Sequence, residues 1–341
     1  MGSPKRYVVA AHGRCFDGLA SAIVFTEFAE QQQTRATFEY VACGYGSQKR
    51  EPKWCNEENA VLDYRYFPSD RLTYYFDHHP TAFVSEADQA HFHRRAQAEP
   101  GRFVWNQEVG SCTQMMAHHF QSEGTELGGL AELIEWAHRI DTASFSSAEE
   151  ATDLSHPVMR LGAVVAHYGD SHFYSRAIEA HKREGLLGLC NRDFVLEAYR
   201  TLAPKWSKYA RAVSQHGRLR ARVVHVELSF PAAPVVLKFA QYQAFPQAVY
   251  SLLSTSRPEG IYLSVGHNPW SEVPCCLDIG ALCRSYGGGG HRYVGGIFFE
   301  TSAAKQACAA SDRIRELLED AAVKMSAPCG AASNASPADG H

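Results

Sequence analysis

The sequence predicts an α/β protein, with an N-terminal parallel-sheet unit, a helical connector and a smaller C-terminal α/β unit. Three observations carry this. Short β-type runs alternate with helix-type segments in the N-terminal part and again beyond Gly217. A helical zone from about Cys112 to Gln215 separates the two alternating stretches. The 341 residues, at about 150 per domain, make roughly two domains with room for a sizeable core. The expected boundaries are 1–190 for the first unit, 191–216 for the connector, 217–325 for the second unit and 326–341 for a tail.

Tyr7–Ala11 is a short β run ending at His12. Leu19–Phe28 follows as a helix, its apolar residues at 19, 23, 24 and 28 marking one face. Thr37–Ala42, Ala60–Tyr64 and Leu72–Phe76 are further β runs, spaced for a mostly parallel sheet with helices on its faces. Within the helical zone, Thr113–Gln121, Leu127–Arg139 and the long amphipathic Arg192–Val213 read as helices. Alternation returns at Arg220–Leu228, Ala248–Leu253 and Ile261–Val265. Helix Ile279–Tyr286, strand Tyr293–Phe299 and helix Ala303–Ala321 close the folded part. From Ser326 onward the chain is rich in Ala, Ser, Pro and Gly and is expected to be disordered. There is no internal repeat.

Hydrophobic residues are 45% of the chain and charged residues 21%, which excludes collagen-like, repeat-dominated and wholly disordered classes. Lys and Arg number 33 against 37 Asp and Glu, so the net charge of −4 offers no global basic field for long duplex nucleic acid. A small anion in a local pocket is compatible with it. The ten cysteines include no C-x-x-C pair of a structural zinc site and are expected to be mostly reduced, in a cytoplasmic protein. No signal peptide is expected, because Val8–Ala11 is short and runs straight into His12 and Arg14. The longest uncharged stretch, Phe239–Ser256, carries three Gln and a Pro and makes a poor membrane span. No membrane partner is expected.

Chemistry-bearing residues fall at the ends of the predicted elements. His12-Gly-Arg-Cys15-Phe-Asp17-Gly18 follows the first strand, Asp63 closes the third β run, Asp77-His78-His79 closes the fourth, and Asp141 ends a helix. In a parallel sheet the first three sets emerge at one edge, and a helix C-terminus can deliver the fourth. Crowded carboxylates repel and are pushed toward protonation unless cations neutralise them. His and Asp together suit Mn²⁺, Zn²⁺ or Fe²⁺, and one carboxylate can bridge two ions that activate water and grip a phosphate. Taken singly, Asp63 reads equally as a turn residue, His78-His79 as core or surface histidines, and Asp141 as a helix boundary. The combination is what points to a metal centre. Near the C-terminus, Gly287-Gly288-Gly289-Gly290 precedes His291 and Arg292, and its glycines let backbone N–H groups approach a phosphate. Alone, such a run also reads as a flexible loop.

These residues, in this order, resemble the DHH phosphoesterase family of the RecJ-like superfamily, whose name spells Asp77-His78-His79. Gly287-Gly288-Gly289-Gly290-His291, continuing to Gly295-Gly296, is similar to the signature of the DHH-associated substrate-binding domain. The resemblance runs from His12 to about Ala321, and its two-domain length resembles the oligoribonucleases (nano-RNases) and their linear or cyclic dinucleotide-degrading relatives. It implies a DHH catalytic domain over the first unit and a substrate-binding domain over the second. It also implies one metal on His12, Cys15 and Asp63, and another on Asp17, Asp63, His78 and Asp141. Asp63 would bridge, a hydroxide between the ions would attack phosphorus, and His79 would face the substrate phosphate. Gly288, Gly289, Gly290, His291 and Arg292 would bind substrate.

The family points to two Mn²⁺ ions. Many members read Asp-x-Asp where this chain has Cys15-Phe16-Asp17. As a ligand, a Cys15 thiolate would shift preference toward Fe²⁺ or Zn²⁺; otherwise Cys15 merely fits a tight loop. The function implied is metal-dependent hydrolysis of phosphodiester or phosphomonoester bonds in a short oligonucleotide, dinucleotide or nucleoside bisphosphate, by a chain that a homodimer would suit. Two alternatives stand beside it: a pyrophosphate or polyphosphate hydrolase, and a catalytically weak nucleotide-binding module.

Overall fold

The computed structural model describes residues 5–33, 35–44, 50–231 and 235–326. The expected tail beyond Ser326 lies outside them. The chain divides into two units. The first runs to Tyr209 and takes in residues 235–239; the second holds residues 210–231 and everything described from Ala240 on.

In the first unit β1 (Lys5–His12), β2 (Ala36–Cys43), β3 (Glu58–Leu62), β4 (Tyr74–Asp77) and β5 (Phe103–Trp105) form one sheet in the order β2-β1-β3-β4-β5. Every pairing is parallel. Strict alternation divides β1 between two cores: Tyr7, Val9 and Ala11 pack on one face, Val8 and Ala10 on the other. β3 is buried along its whole length, as a parallel strand covered on both faces must be. The larger core takes α1 (Phe16–Gln32), α3 (Cys112–Ser122), α4 (Ala131–Asp141), α6 (Pro157–Tyr168), α7 (Ser171–Cys190) and the start of α8 (Asp193–His216). The smaller core takes Phe92 of α2 (Glu86–Ala98), and the short α5 (Ala148–Thr152) lies between α4 and α6 in the chain.

The second unit is a six-stranded mixed sheet. β6 (Arg218–Arg220), β7 (Val223–Ser229), β8 (Tyr250–Arg257), β9 (Gly260–His267), β10 (Gly289–His291) and β11 (Val294–Glu300) lie in the order β10-β11-β9-β8-β7-β6. Only β7 and β8 run parallel. Ile314 and Leu318 of α11 (Ala304–Ser326) pack with Val265, Leu252 and Ile297, and α10 (Ile279–Arg284) adds Ile279 and Cys283. A short α9 (Ala240–Ala244) precedes β8.

The α/β class, the parallel N-terminal sheet and the second α/β unit are as the sequence predicts. Three local features differ. The run expected over Arg220–Leu228 is two strands, because Ala221 and Arg222 adopt φ of 43° and 61° and turn the chain. The first helix begins at Phe16 rather than Leu19, with Cys15 extended as its N-cap. α2 and β5 have no counterpart in the sequence reading: α2 buries only Phe92, so it leaves almost no apolar period, and β5 is three residues long. Among the described residues no helix is long and apolar enough to cross a membrane.

Candidate metal and active site

Parallel pairing sends the C-terminal ends of β1, β3 and β4 to one edge of the first sheet, so His12, Asp63 and Asp77-His78-His79 converge there. α1 starts immediately after β1 and contributes Asp17 from its first turn. The turn is tight: a Cβ on Gly18 would stand 2.2 Å from the His12 carbonyl oxygen, so only glycine lets α1 approach β1 this closely. The Tyr174 hydroxyl of α7 braces the same turn, 2.5 Å from the His12 carbonyl oxygen and 2.9 Å from that of Cys15. Asp141 is the last residue of α4.

Asp63 sits at the centre. His12 Nδ1 lies 3.6 Å from its Oδ2, while His78 Nε2 and His79 Nδ1 lie 3.5 and 3.7 Å from its Oδ1. The residue is 1% exposed, adopts φ of 54°, and both carboxylate oxygens are buried without a hydrogen bond. That backbone region is costly for a side chain other than glycine and is found where surroundings impose it. His78 Nε2 also stands 3.4 Å from Asp141 Oδ2 and 4.0 Å from Asp17 Oδ2. Its other ring nitrogen, Nδ1, is 3.3 Å from the Val109 carbonyl, which orients the ring so that Nε2 faces the carboxylates.

Two carboxylates have different work. Asp17 is gripped by the start of α3: Cys112 N–H donates to Oδ2 at 2.7 Å and Thr113 N–H to Oδ1 at 3.1 Å. Asp77 is saturated with donors. Tyr75 hydroxyl reaches Oδ2 at 3.0 Å, while the backbone N–H groups of His78 and His79 and His79 Nδ1 reach Oδ1 at 2.9, 3.3 and 2.6 Å. Asp77 therefore orients the two histidines and stays outside the groups that converge on Asp63.

The electrostatics are those of a cation site. Burial and then the charges of Asp63 and Asp141 push Asp17 well above the usual carboxylate range. Asp141, the most exposed of the cluster, is also raised, by lost solvation and by Asp63. Burial would raise Asp63 too, but His12 and His78 hold it well below its ordinary value. Burial would lower both histidines. Asp63, Asp141 and Asp17 instead raise His78 to about 10, and Asp77 and Asp63 raise His79 to about 9. Protons thus hold together a set of carboxylates that divalent ions would hold better. Three ligand groups have their donor atoms within 4.8 Å of one another: His12-Cys15-Asp63, Asp17-His78-Asp141 and Asp63-His78-His79. Such a donor set, with a buried carboxylate that accepts no hydrogen bond at its centre, fits a metal ion. The Cys15 thiol, raised by burial and by Asp63, Asp141 and Asp17, needs a cation to ionise.

All seven residues singled out in the first unit come together: His12, Cys15, Asp17, Asp63, His78, His79 and Asp141. Gly288, Gly289, Gly290, His291 and Arg292 belong to the second unit. There Gly287 and Gly288 donate to Arg284 and Cys283 and close α10, after which Gly289–His291 form β10 and pair with Val294–Gly296. Sequence reasoning missed the supports: Thr113 and Cys112, the Val109 carbonyl, Tyr75 and Tyr174. Only Ser111, the N-cap of α3, carried a local signal.

The sequence matches no family model and no curated protein. The fold does have counterparts among solved structures. A pGpG-specific phosphodiesterase, PggH from Vibrio cholerae, superposes with a TM-score of 0.62 at 16% identity, over 94% of this chain and 99% of the other. Exonuclease RecJ bound to manganese superposes at 0.50 and 10% identity, over 94% and 90%. RecJ from Thermus thermophilus in complex with Mg²⁺ does so at 0.50 and 12%, over 94% of this chain and 50% of that one. With Asp77-His78-His79 at the end of its fourth parallel strand and this likeness running along nearly the whole chain, the protein has the fold of these DHH/RecJ-like structures.

Proposed function

We propose that the chain is a divalent-metal-dependent phosphoesterase that hydrolyses phosphodiester or phosphomonoester bonds of short oligonucleotides, linear dinucleotides foremost. The observation that carries this is Asp63, buried at the centre of the cluster with a histidine beside Oδ2 and two beside Oδ1. Such a carboxylate suits a bridge between two ions. His12, Cys15 and Asp63 would hold one ion, and Asp17, Asp63, His78 and Asp141 the other. The ions would supply a nucleophilic water at neutral pH and neutralise phosphate charge.

The chain's own groups do the rest. Val109 orients the His78 ring, and α3 fixes Asp17. His79 has Nδ1 committed to Asp77, so its Nε2 is the position from which it donates to a phosphate oxygen. Asp77 favours the protonated ring, which in that form would offset charge that develops in the transition state. Gly288, Gly289, Gly290, His291 and Arg292 of the second unit would bind the nucleotide. The choice of a dinucleotide is supported by the name of the Vibrio counterpart, a pGpG-specific phosphodiesterase.

The test strips metal and re-adds Mn²⁺, Fe²⁺ or Zn²⁺ separately, then measures turnover of 5′-labelled dinucleotide beside 3′-phosphoadenosine 5′-phosphate and pyrophosphate. Release of mononucleotide is the expected result. Cleavage of pyrophosphate alone would move the assignment to pyrophosphate hydrolysis, and no turnover with any metal would leave a binding protein.

A further inference from the structure

Gly110 stands where the supports of His78, Asp17 and Asp141 meet. The carbonyl of Val109, one residue before it, is 3.3 Å from His78 Nδ1. Ser111, one residue after it, is buried and caps α3, its Oγ accepting from Gln114 N–H at 3.3 Å. The next two N–H groups, those of Cys112 and Thr113, donate to Asp17 at 2.7 and 3.1 Å. Residues 109–113 thus orient His78 and Asp17 together.

Gly110 itself lies against the last turn of α4, the helix that ends in Asp141. A Cβ on it would stand 2.5 Å from Thr142 Cγ2 and 2.6 Å from His138 Cε1, far inside the carbon–carbon contact distance of about 3.5–4.0 Å. The Thr142 methyl has little room to withdraw. Its hydroxyl donates to the His138 carbonyl oxygen at 2.7 Å and lies 2.7 Å from Ser144 Oγ, so turning χ1 would break both contacts. A side chain at 110 must therefore push the 109–113 segment and the end of α4 apart, and a packed interior passes that displacement on. One side of the seam carries Asp141, and the other orients His78 and Asp17. Those three residues form one ligand group, with His78 Nε2 3.4 Å from Asp141 Oδ2 and 4.0 Å from Asp17 Oδ2. His12 and Cys15, of the other group, come from β1 and the turn after it.

We propose that Gly110 is a positioning residue: having no Cβ, it seats residues 109–113 against the end of α4 and so sets the spacing of Asp17, His78 and Asp141 around one of two metal ions. The proposal rests on the two-metal reading above and adds what holds one of its ion sites to size.

The experiment titrates Mn²⁺ into the metal-free full-length wild type, Gly110→Ala, Thr142→Ser and the double variant, following free Mn²⁺ by electron paramagnetic resonance. The wild type should bind two ions. Gly110→Ala should weaken one of them about 10–100-fold and the other much less, a selective loss that general destabilisation would not produce. Thr142→Ser keeps the hydroxyl and removes the methyl, so the double variant should bind the affected ion more tightly than Gly110→Ala alone. Should Gly110→Ala not fold, the double variant is compared with Thr142→Ser; His138 Cε1 still meets the new methyl there, and the same single-ion loss is expected. A wild type with two ions and a Gly110→Ala variant equal to it overturns the Gly110 assignment alone, as does a loss shared equally by both ions or a double variant no tighter than the single one. A wild type that binds fewer than two Mn²⁺ overturns both the assignment and the reading beneath it.

Discussion

Thr113 holds Asp17 at two points: its N–H donates to Oδ1 at 3.1 Å, and its hydroxyl lies 3.0 Å from the Asp17 carbonyl oxygen. The same hydroxyl is 3.0 Å from Ser21 Oγ, so the start of α3 is fastened to α1 within a fully buried polar group. A helix N-terminus favours a carboxylate, and this contact positions Asp17 for a cation from the side away from it. Thr113→Val keeps the N–H contact and shape but removes the hydroxyl. It should cost about 1–3 kcal/mol in urea unfolding and weaken metal affinity about 10-fold. Full stability with full metal affinity would show that the N–H contacts alone suffice.

Asp63→Asn is the sharpest test of the bridge. Asn tolerates the left-handed backbone at this position better than any residue but glycine, so the fold should survive. One oxygen becomes an amide NH₂, which cannot ligate a cation. Turnover should be lost with any metal while circular dichroism stays native, the melting temperature falling because His12 and His78 lose their buried carboxylate partner. Near-wild-type turnover would exclude a two-metal centre built on Asp63.

The strand ends were legible because parallel β runs must deliver His12, Asp63 and Asp77 to one edge, whatever the loops do. The supports were not. Thr113 lies 96 residues from the Asp17 it holds, and such a contact leaves no period or cap motif in the sequence. The placement of residues 235–239 is hidden for the same reason: five residues flanked by second-unit elements look like a loop until Val235 and Leu237 are seen in the first unit's core.

Cys15→Asp should move metal preference toward Mn²⁺. The substitution replaces a soft donor by a hard one, at an N-cap whose present side chain makes no capping hydrogen bond. Asp also caps helices, adding about 1 kcal/mol of stability, so Cys15→Ser serves as the control that caps without offering a carboxylate. Metal preference measured by competition binding should shift in the Asp variant only. An unchanged order of affinities would remove Cys15 from the ligand set.

The raised histidines make the metal-free protein sensitive to alkali. A histidine whose folded pKa exceeds its unfolded value near 6.5 contributes stability that is fully present below that value. The contribution is lost as pH rises through about 9 for His79 and about 10 for His78. Asp17 and Asp141, also raised, act in the same direction. Melting temperature in chelator should therefore fall between about pH 7 and pH 10. Mn²⁺ should flatten that slope, and binding it near neutral pH should release protons detectable with an indicator dye in weak buffer. A flat profile in chelator, or metal uptake without proton release, would contradict the charge state inferred for the cluster.

Two neighbouring glycines separate structure from substrate in the second unit. A Cβ on Gly288 would sit 2.2 Å from the Gly296 carbonyl oxygen, so Gly288→Ala should destabilise the β10–β11 hairpin and lower the melting temperature whatever the unit binds. A Cβ on Gly289 meets nothing within 4 Å. Gly289→Ala should leave the melting temperature unchanged, since it adds one methyl to open space. If this backbone is where a phosphate or base approaches, that methyl stands in the way, and dinucleotide KM should rise with kcat little altered. Equal KM for Gly289→Ala and wild type would instead leave the glycine run as a device for closing α10 and turning the edge hairpin. Substrate contact would then fall to His291 and Arg292, which Ala substitutions at those two positions would test in turn.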